Sequence, residues 1–335
     1  MIKIAIDAMG GDLAPKEIIK GSVEAAGDVE DLKIFLVGQE EKIVEELKLL
    51  QHYPEDRVVI VDAREVISAE EQAGIAVKKK KDSSMHVAMS LVKEQKAEAV
   101  VSAGNTGAFM AGGLLIIGRL KGISRPALAP LIPTFNGDRF MLLDVGANVD
   151  ARPDHLLHYG IMGSIYVQKL MAKDMPRIGL LNIGTEEGKG NQLTREAFLL
   201  FKKSPLNFIG NVEARDLLEG AADVVVCDGF TGNIVLKMME GIAGGIFSSL
   251  KKELQKSLTS RVGGLLLMSG LKDMKKNLDY TEHGGAPLLG VKGICIKSHG
   301  SSNAKTIKNA IMNQTYPLTR EKINDIILGE LAEMI

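Results

Sequence analysis

The segment that most constrains the fold is a run of valines that ends at a glycine-containing turn. Val224, Val225 and Val226 form a β-branched apolar run, typical of a parallel strand buried on both faces, and Asp228-Gly229 ends it. The turn 231–233 then leads into a predicted helix. Because the first amide groups of a helix are unpaired and carry the positive end of its dipole, we expect this turn to bind an anion.

The same pattern of strand, glycine-rich loop and helix recurs along the chain. It appears in the ranges 4–12, 100–107, 141–148, 179–191 and 296–303. Loops at the carboxyl ends of parallel strands converge on one crevice in an open sheet, so we expect these segments to share a site. Since strands and helices alternate, the sequence predicts an α/β fold.

Several elements are predicted with definite bounds. Apolar runs predict strands at Leu32–Gly38 and Val58–Asp62, and a long periodic segment predicts a helix at Pro153–Met171. The dipeptide Asn136-Gly137 between two apolar runs predicts a β-hairpin. These elements alternate from the beginning of the chain, as in a βαβ protein.

Composition places the chain among ordinary globular proteins and excludes some functions. Its 335 residues are 45% hydrophobic and 25% charged, and its formal net charge of -1 argues against binding nucleic acid by bulk electrostatics. The two cysteines, Cys227 and Cys295, lie in apolar runs without metal-ligand spacing, which predicts a reducing cytosol and no metal site. The amino-terminal segment reads as a strand and not a signal peptide, and no apolar run approaches the roughly 20 residues that span a bilayer. A cytoplasmic location is therefore expected.

The range 234–280 departs from the alternation and predicts a projecting helical arm. Its middle is apolar, and lysines flank it on both sides. Such an arm is typical either of a dimer contact or of contact with an anionic membrane, and packing in the core is the alternative for its leucines. The residues expected to touch the membrane are Val262, Leu265, Leu266, Leu267 and Met268.

A lysine run lies in the range 77–84. It is either the solvated end of a helix or a basic surface that recruits an acidic partner. The residues concerned are Lys78, Lys79, Lys80 and Lys81.

The glycine-rich loops fit phosphate better than a nucleotide. Residues 184–190 have the wrong spacing for a P-loop, and no G-x-G-x-x-G follows the first strand. What remains is backbone amides, small hydroxyls, asparagines and a lysine, which suit inorganic phosphate or a phosphorylated small molecule. Since no strong nucleophile is evident in the loops, we expect phosphate itself to attack an electrophile with a good leaving group, such as a thiolate.

Seven segments in order resemble the signature stretches of the bacterial phosphate acyltransferase (PlsX) family. They cover essentially the whole chain: Asp7-Ala-Met-Gly-Gly-Asp12, Ser102-Ala-Gly-Asn-Thr-Gly-Ala108, Leu143-Asp-Val-Gly-Ala-Asn148, Phe208-Ile-Gly-Asn-Val-Glu213, Asp228-Gly-Phe-Thr-Gly-Asn233, Gly284-Gly-Ala-Pro-Leu-Leu-Gly290 and His299-Gly-Ser-Ser302. One departure is His283, where the family pattern leads us to expect tyrosine.

The resemblance implies a fold, a reaction and partners. The fold would be a single three-layer α/β/α domain over residues 1–335, with a mostly parallel sheet like that of isopropylmalate dehydrogenases and phosphotransacetylases. The reaction would convert acyl-(acyl carrier protein) and phosphate into acyl phosphate and free carrier protein, without a cofactor, for phosphatidic acid synthesis. The protein would be a homodimer that associates peripherally with the membrane, near the downstream glycerol-3-phosphate acyltransferase.

The resemblance also implies roles for particular residues. Lys189 would neutralise the developing charge and Asn233 would orient the carbonyl. His299 would either donate to the leaving sulfur or have a structural role. Asp7 and Asp144 would order the glycine loops. The residues expected to seat phosphate are Gly104, Asn105, Thr106, Gly107, Ser301 and Ser302, and those expected to receive the carrier protein are the four lysines above with Arg119, Lys121 and Arg125.

Three alternative functions are open at this stage. A phosphotransacetylase acting on acyl-CoA would share the site chemistry. A decarboxylating dehydrogenase would need acidic metal ligands and a dinucleotide site, which are not evident in the sequence. A membrane-attached scaffold with a degenerate site would need neither substrate.

Overall fold

A computed structural model describes residues 1–278 and 284–334, and His283 lies outside the described residues. The described strands form two sheets. Parallel pairing dominates both sheets, and helices flank them. The predicted α/β class is confirmed, but the strands divide between two sheets where we expected one.

The first sheet contains the amino-terminal strands and the last two strands of the chain. Its order is β3 (Val58–Asp62), β2 (Leu32–Gly38), β1 (Ile2–Asp7), β4 (Ala99–Ser102), β12 (Ile294–Lys297), β11 (Ala286–Leu289) and β5 (Ala127–Leu128). Pairing is parallel from β3 to β12, and β11 is antiparallel to both neighbours. The carboxyl ends of β1, β4 and β12 therefore lie side by side.

The second sheet has the valine run at its centre. Its order is β6 (Leu131–Pro133), β7 (Arg139–Leu143), β10 (Val224–Val226), β8 (Ile178–Asn182) and β9 (Phe208–Glu213). Strand β10 pairs in parallel with β7 and β8, and its valines are fully buried, which confirms the predicted strand. β6 and β7 form the predicted hairpin, in which Gly137 has the positive φ of 84° that such a turn requires.

The helices before the arm follow the strands in the order that the sequence predicts. They are α1 (Lys16–Asp28), α2 (Glu40–Lys48), α3 (Ala73–Lys79), α4 (Ser84–Lys93), α5 (Thr106–Gly112), α6 (Pro153–Met171) and α7 (Gln192–Lys203). A π-helical turn, Gly113–Ile117, extends α5. One hydrophobic cluster includes Ile4 of the first sheet and Val224 of the second.

The predicted arm is a pair of long helices, α8 (Gly229–Gln255) and α9 (Leu258–Leu278). The buried residues of α8 are Gly229, Gly232 and Leu236, all in its first turns. The expected apolar residues lie on α9 beyond the bend at residues 256–257 and are exposed, with Leu266 the most exposed at 82%. In the described part of the chain no helix is both long and apolar enough to cross a membrane.

Among the described residues, β12 is followed by α10 (Ala304–Asn309), a π-helical segment (Ala310–Thr315), α11 (Tyr316–Arg320) and α12 (Ile323–Met334). α10 packs against α1. Gly21 permits this contact, because a Cβ at that position would lie 2.2 Å from the carbonyl oxygen of Ala304.

Candidate active site

A cavity of about 710 Å³ opens where loops of both sheets meet. Polar lining comes from the loops that follow β1, β4 and β12, and further lining comes from the first turns of α8. Leu128, Val145 and Leu236 contribute apolar surface. The lining residues come from segments 9–12, 66–69, 103–107, 128–130, 145, 233–240, 285–286, 297–300 and 306. The cavity thus combines a polar loop cluster with an apolar side.

Two buried side chains, Asp7 and Ser102, fix the loop 104–107. The hydroxyl of Ser102 donates a hydrogen bond of 2.6 Å to Asp7 Oδ2 and accepts one of 3.0 Å from the Gly104 amide. Burial raises the pKa of Asp7, while hydrogen bonds from Ser102 and Ser84 act in the opposite direction. Ser102 thus links the carboxyl group of Asp7 to the loop.

The side chain of Asn105 is used within the protein. Its Oδ1 accepts a hydrogen bond of 2.9 Å from the amide of Ala108 and caps α5. Its Nδ2 donates to the carbonyl oxygens of Ser68 and Ala69, each at 3.0 Å. Asn105 therefore joins the loop 104–107 to the segment 68–69. The neighbouring Thr106 also lines the cavity and is exposed.

Asp144 fixes the loop 145–148, which follows β7. Its carboxylate accepts hydrogen bonds from the amides of Leu128, Gly146, Ala147 and Asn148, at 2.7 to 3.2 Å. Burial raises its pKa, and these bonds oppose the increase.

Asn233 lies on the wall formed by α8 and packs over Gly146. It is exposed to the cavity. A Cβ built at Gly146 would lie 3.8 Å from the Oδ1 of Asn233.

The turn 231–233 does not offer free amides. α8 begins at Gly229, because the side chain of Asp228 caps it by accepting a hydrogen bond of 2.9 Å from the Thr231 amide. The amide of Gly232 donates to the carbonyl oxygen of Asp228. The expectation that this turn is an anion site is therefore wrong: it presents the side chain of Asn233.

His299 lies in the cavity wall and is held by the serine two residues after it. The Ser301 amide donates to His299 Nδ1 at 3.2 Å, and the Ser301 hydroxyl lies 2.8 Å from the same nitrogen. An Nδ1 that accepts a hydrogen bond leaves the proton on Nε2. Ser302 is buried, and its hydroxyl has no hydrogen-bond partner within the residues that the structure describes. Neither Ser301 nor Ser302, both expected to seat phosphate, is among the described residues that line the cavity.

The lysine predicted from the sequence is not the lysine found at the cavity. Lys189 lies in the loop after β8, is half exposed, and approaches Glu186 at 3.8 Å; it is absent from the described lining. The lining contains Lys237, paired with Glu240 at 2.8 Å, and Lys297, which is only 6% exposed. Lys297 is not among the residues predicted from the sequence; its one local signal is its position at the end of the apolar run of β12.

The basic residues expected to receive the carrier protein lie at the end of α3 and after the π-helical turn. Lys80 has a structural contact, since its Nζ donates to Glu71 at 2.7 Å and to the carbonyl oxygen of Val66 at 2.8 Å. The others are exposed: Lys78, Lys79, Lys81, Arg119, Lys121 and Arg125.

The cysteines offer no ready nucleophile. Cys227 and Cys295 are buried, and burial raises the pKa of both thiols. Among the described residues there is no group of three or more histidine, cysteine or acidic side chains that could hold a metal.

Solved structures with the same fold define the class. A phosphotransacetylase from Streptococcus pyogenes superposes with a TM-score of 0.64 at 18% identity, covering 96% of this chain and 94% of that one. A branched-chain phosphotransacylase from Enterococcus faecalis V583 gives a TM-score of 0.58 at 15% identity, covering 95% and 99%. The fold is that of the phosphotransacetylases, as the resemblance implies.

Sequence comparison gives the family. Residues 2–323 match the family model described as "Fatty acid synthesis protein". A protein of Clostridium tetani named "Phosphate acyltransferase" is 52% identical over 310 residues, 92% of each chain, and one of Clostridium acetobutylicum with the same name is 50% identical over 99% of each chain. The chain belongs to this phosphate acyltransferase family and is an acyltransferase enzyme, which confirms the family predicted from its sequence.

Proposed function

We propose that this enzyme transfers the acyl group of acyl-(acyl carrier protein) to inorganic phosphate and so supplies acyl phosphate for phosphatidic acid synthesis. The observation that carries the proposal is one cavity in which the loop 104–107 faces Asn233, His299 and a buried cation, Lys297. Such a site has donors for an anion and apolar surface for an acyl group. The names of the curated relatives agree with it.

In this reaction phosphate supplies the nucleophile. A phosphate oxygen attacks the thioester carbonyl carbon, a new C–O bond forms, the C–S bond breaks, and its electron pair leaves with the sulfur. The Nε2–H group of His299 donates a hydrogen bond to the leaving sulfur, which takes up the proton that hydrogen phosphate loses as the C–O bond forms, while Asn233 orients the carbonyl. No group needs to be oxidised or reduced, and no cofactor is required.

The remaining proposed roles concern charge and position. The loop 104–107 seats the phosphate, and Ser301 acts through His299 because it already binds that ring. Ser302 could contact the phosphate only if its buried hydroxyl moved into the cavity. Lys189 neutralises charge on the oxyanion, a role that requires its loop to move towards the cavity. Asp7 and Asp144 hold the loops in place.

The proposed partners use surfaces away from the cavity. The exposed basic residues around α3 and after residue 117 would receive the acidic carrier protein. A stripe of exposed apolar residues along α8 would pair with a second copy: Phe230, Ile234, Met238, Ile242 and Ile246. The apolar residues of α9 would contact the membrane from the cytoplasm, near the glycerol-3-phosphate acyltransferase that consumes acyl phosphate.

The experiment that tests the function is incubation with acyl-(acyl carrier protein) and phosphate, with acyl phosphate trapped by hydroxylamine. We expect acyl hydroxamate only when phosphate is present. Thiol release at full rate without phosphate, or acylation of a protein side chain, would overturn direct attack by phosphate. If acyl phosphate forms while the absorbance of an added nicotinamide cofactor stays constant, the dehydrogenase alternative is excluded.

A second candidate is a phosphotransacetylase-like enzyme acting on acyl-CoA, which the shared fold favours. Both candidates form the same acyl phosphate. Comparison of kcat/KM for the two thioesters with the same acyl chain separates them. Liposome binding combined with no thioester cleavage would support the scaffold alternative instead.

A further inference from the structure

Lys297 lies in the cavity described above, but no step of the proposed reaction assigns it a role. It is the last residue of β12, lines the cavity, and is 6% exposed. Lysine is rarely buried this deeply without a partner, because removing an ammonium group from water is costly. The position therefore calls for an anionic ligand or a compensating carboxylate.

The hydrogen bonds recorded for Lys297 leave part of its ammonium group available. Within residues 1–278 and 284–334, its Nζ donates one hydrogen bond, to the carbonyl oxygen of Ser298. An ammonium group has three donors. Two N–H groups thus remain for a ligand in the cavity.

The charges around Lys297 come from three elements. Asp7 of β1 and Asp12 of the following loop favour its protonated form, while Lys237 of α8 opposes it. Burial is the largest effect and lowers the pKa of Lys297 to about 8. Ser102 binds Oδ2 of Asp7, and Oδ1 has no hydrogen-bond partner among the described residues, so neither carboxylate oxygen is hydrogen-bonded to the ammonium group of Lys297.

Strand register places Lys297 beside the loop 104–107. Lys297 pairs with Ser102 across the parallel strands β12 and β4, and neighbouring strands lie about 4.8 Å apart. The hydroxyl of Ser102 in turn accepts a hydrogen bond from the amide of Gly104. Paired residues of neighbouring strands project to the same face, so the lysine and the loop face the same space.

We propose that the ammonium group of Lys297 binds the inorganic phosphate substrate, opposite the amides and hydroxyl of the loop 104–107. The proposal rests on the function proposed above and assigns the cation of its anion site. Lys297 then neutralises charge on the bound phosphate, whereas the role proposed for Lys189 concerns the oxyanion of the attacked carbonyl. Its burial keeps water from weakening the interaction.

The test compares Lys297→Met, which removes the charge at similar length, with Lys297→Arg, which keeps it. With saturating acyl donor, Lys297→Met should raise the KM for phosphate about 10- to 100-fold and leave the KM for the acyl donor within about twofold, as expected for a lost charged hydrogen bond. Lys297→Arg should restore much of the phosphate affinity. The exposed Lys292→Met serves as the matched control and should behave as wild type.

Two further measurements keep the proposal testable if Lys297→Met folds poorly. Phosphate should raise the Tm of the wild type and of Lys297→Arg, but not of Lys297→Met. In the wild type, phosphate should slow acetylation of Lys297 and leave that of Lys292 unchanged.

An unchanged KM for phosphate in Lys297→Met, or acetylation of Lys297 that phosphate does not slow, would overturn the assignment. Equal loss of kcat at all phosphate concentrations would assign Lys297 to the chemical step and also overturn it. If instead the wild type forms no acyl phosphate from either thioester, the proposed function itself fails.

Discussion

The hydroxyl of Ser102 lies 2.6 Å from Asp7 Oδ2 and connects a buried carboxyl group to the loop 104–107. The same hydroxyl accepts a hydrogen bond from the Gly104 amide, so it is both a donor and an acceptor. A Cβ at Gly10 would lie 2.5 Å from Asp7 Oδ2 and 2.8 Å from the Gly104 nitrogen, so only glycine permits this approach. Three neighbouring segments thus share one small hydrogen-bonded junction.

Ser102→Ala tests whether this junction supports phosphate binding. The substitution removes one of the hydrogen-bond donors to the buried Asp7, so we expect a loss of about 1–3 kcal/mol in the free energy of unfolding and a several-fold higher KM for phosphate. Urea denaturation and steady-state kinetics measure the two effects. Ser22→Ala is the control, since the buried Ser22 hydroxyl bonds the Ile18 carbonyl away from the cavity. A phosphate KM equally raised in both variants would contradict the specific role of Ser102.

Lys189→Ala tests whether a lysine outside the described lining acts in catalysis. If the loop 183–191 brings it to the oxyanion, kcat should fall about 10²–10³-fold, as for loss of one oxyanion donor, with little change in stability. Lys203→Ala, an exposed lysine on α7, is the control. Wild-type formation of acyl phosphate by Lys189→Ala would show that Lys189 has no such role.

The pH dependence of phosphate use follows from the pKa of Lys297. Burial lowers this pKa to about 8, with Asp7 and Asp12 favouring the charge and Lys237 opposing it. The side chain is charged below that pH and neutral above it, so kcat/KM for phosphate should decline as pH rises through about 8. Lys297→Arg should move the decline upward, because arginine stays protonated. An identical alkaline limb in both proteins would remove Lys297 as its cause.

Met238→Lys tests the apolar stripe of α8 as a dimer contact. Met238 is 64% exposed and lies one turn from both Ile234 and Ile242. A lysine there should convert the dimer to monomer, measured by light scattering, because a buried unpaired charge is costly. Gly244→Lys places the same side chain on the opposite side of the helix, where a Cβ meets nothing within 4 Å, and should leave the dimer intact. Dimers that persist in Met238→Lys would place the contact elsewhere.

Leu266→Glu tests membrane contact by α9. Leu266 is 82% exposed, and a carboxylate should weaken insertion into an anionic interface. Flotation with vesicles of anionic lipid should fall strongly for this variant. Leu49→Glu changes a leucine of 73% exposure beyond the end of α2 and is the matched control. Equal flotation of Leu266→Glu and wild type would exclude this surface.

The sequence predicts the regular elements well because short-range patterns determine them. The predicted bounds of β2, β3 and α6 agree with the structure, and so does the hairpin at Gly137. The start of α8 was misplaced, although an aspartate before the helix is a local capping signal. Asp228 is that capping residue, and α8 begins directly after it, at Gly229.

The arrangement of the site was harder to predict because distant contacts produce it. Periodicity places Lys297 in a strand, but its burial beside Asp7 results from pairing across β1, β4 and β12. The side chain of Lys189 looks equally suitable in the sequence and lies outside the described lining. The family resemblance supplied the chemistry, and only tertiary structure separates these two lysines.

The continuity of α8 has a mechanical consequence. Its 27 residues span about 40 Å at 1.5 Å per residue, from the cap at Asp228 to Gln255. Asn233 stands near the first end of this rod, and the exposed leucines of α9 stand just past the other. If a membrane or a partner holds the far end of α8, it also sets the direction in which the mouth of the cavity points. The orientation of the bound enzyme would then determine the side from which acyl phosphate leaves.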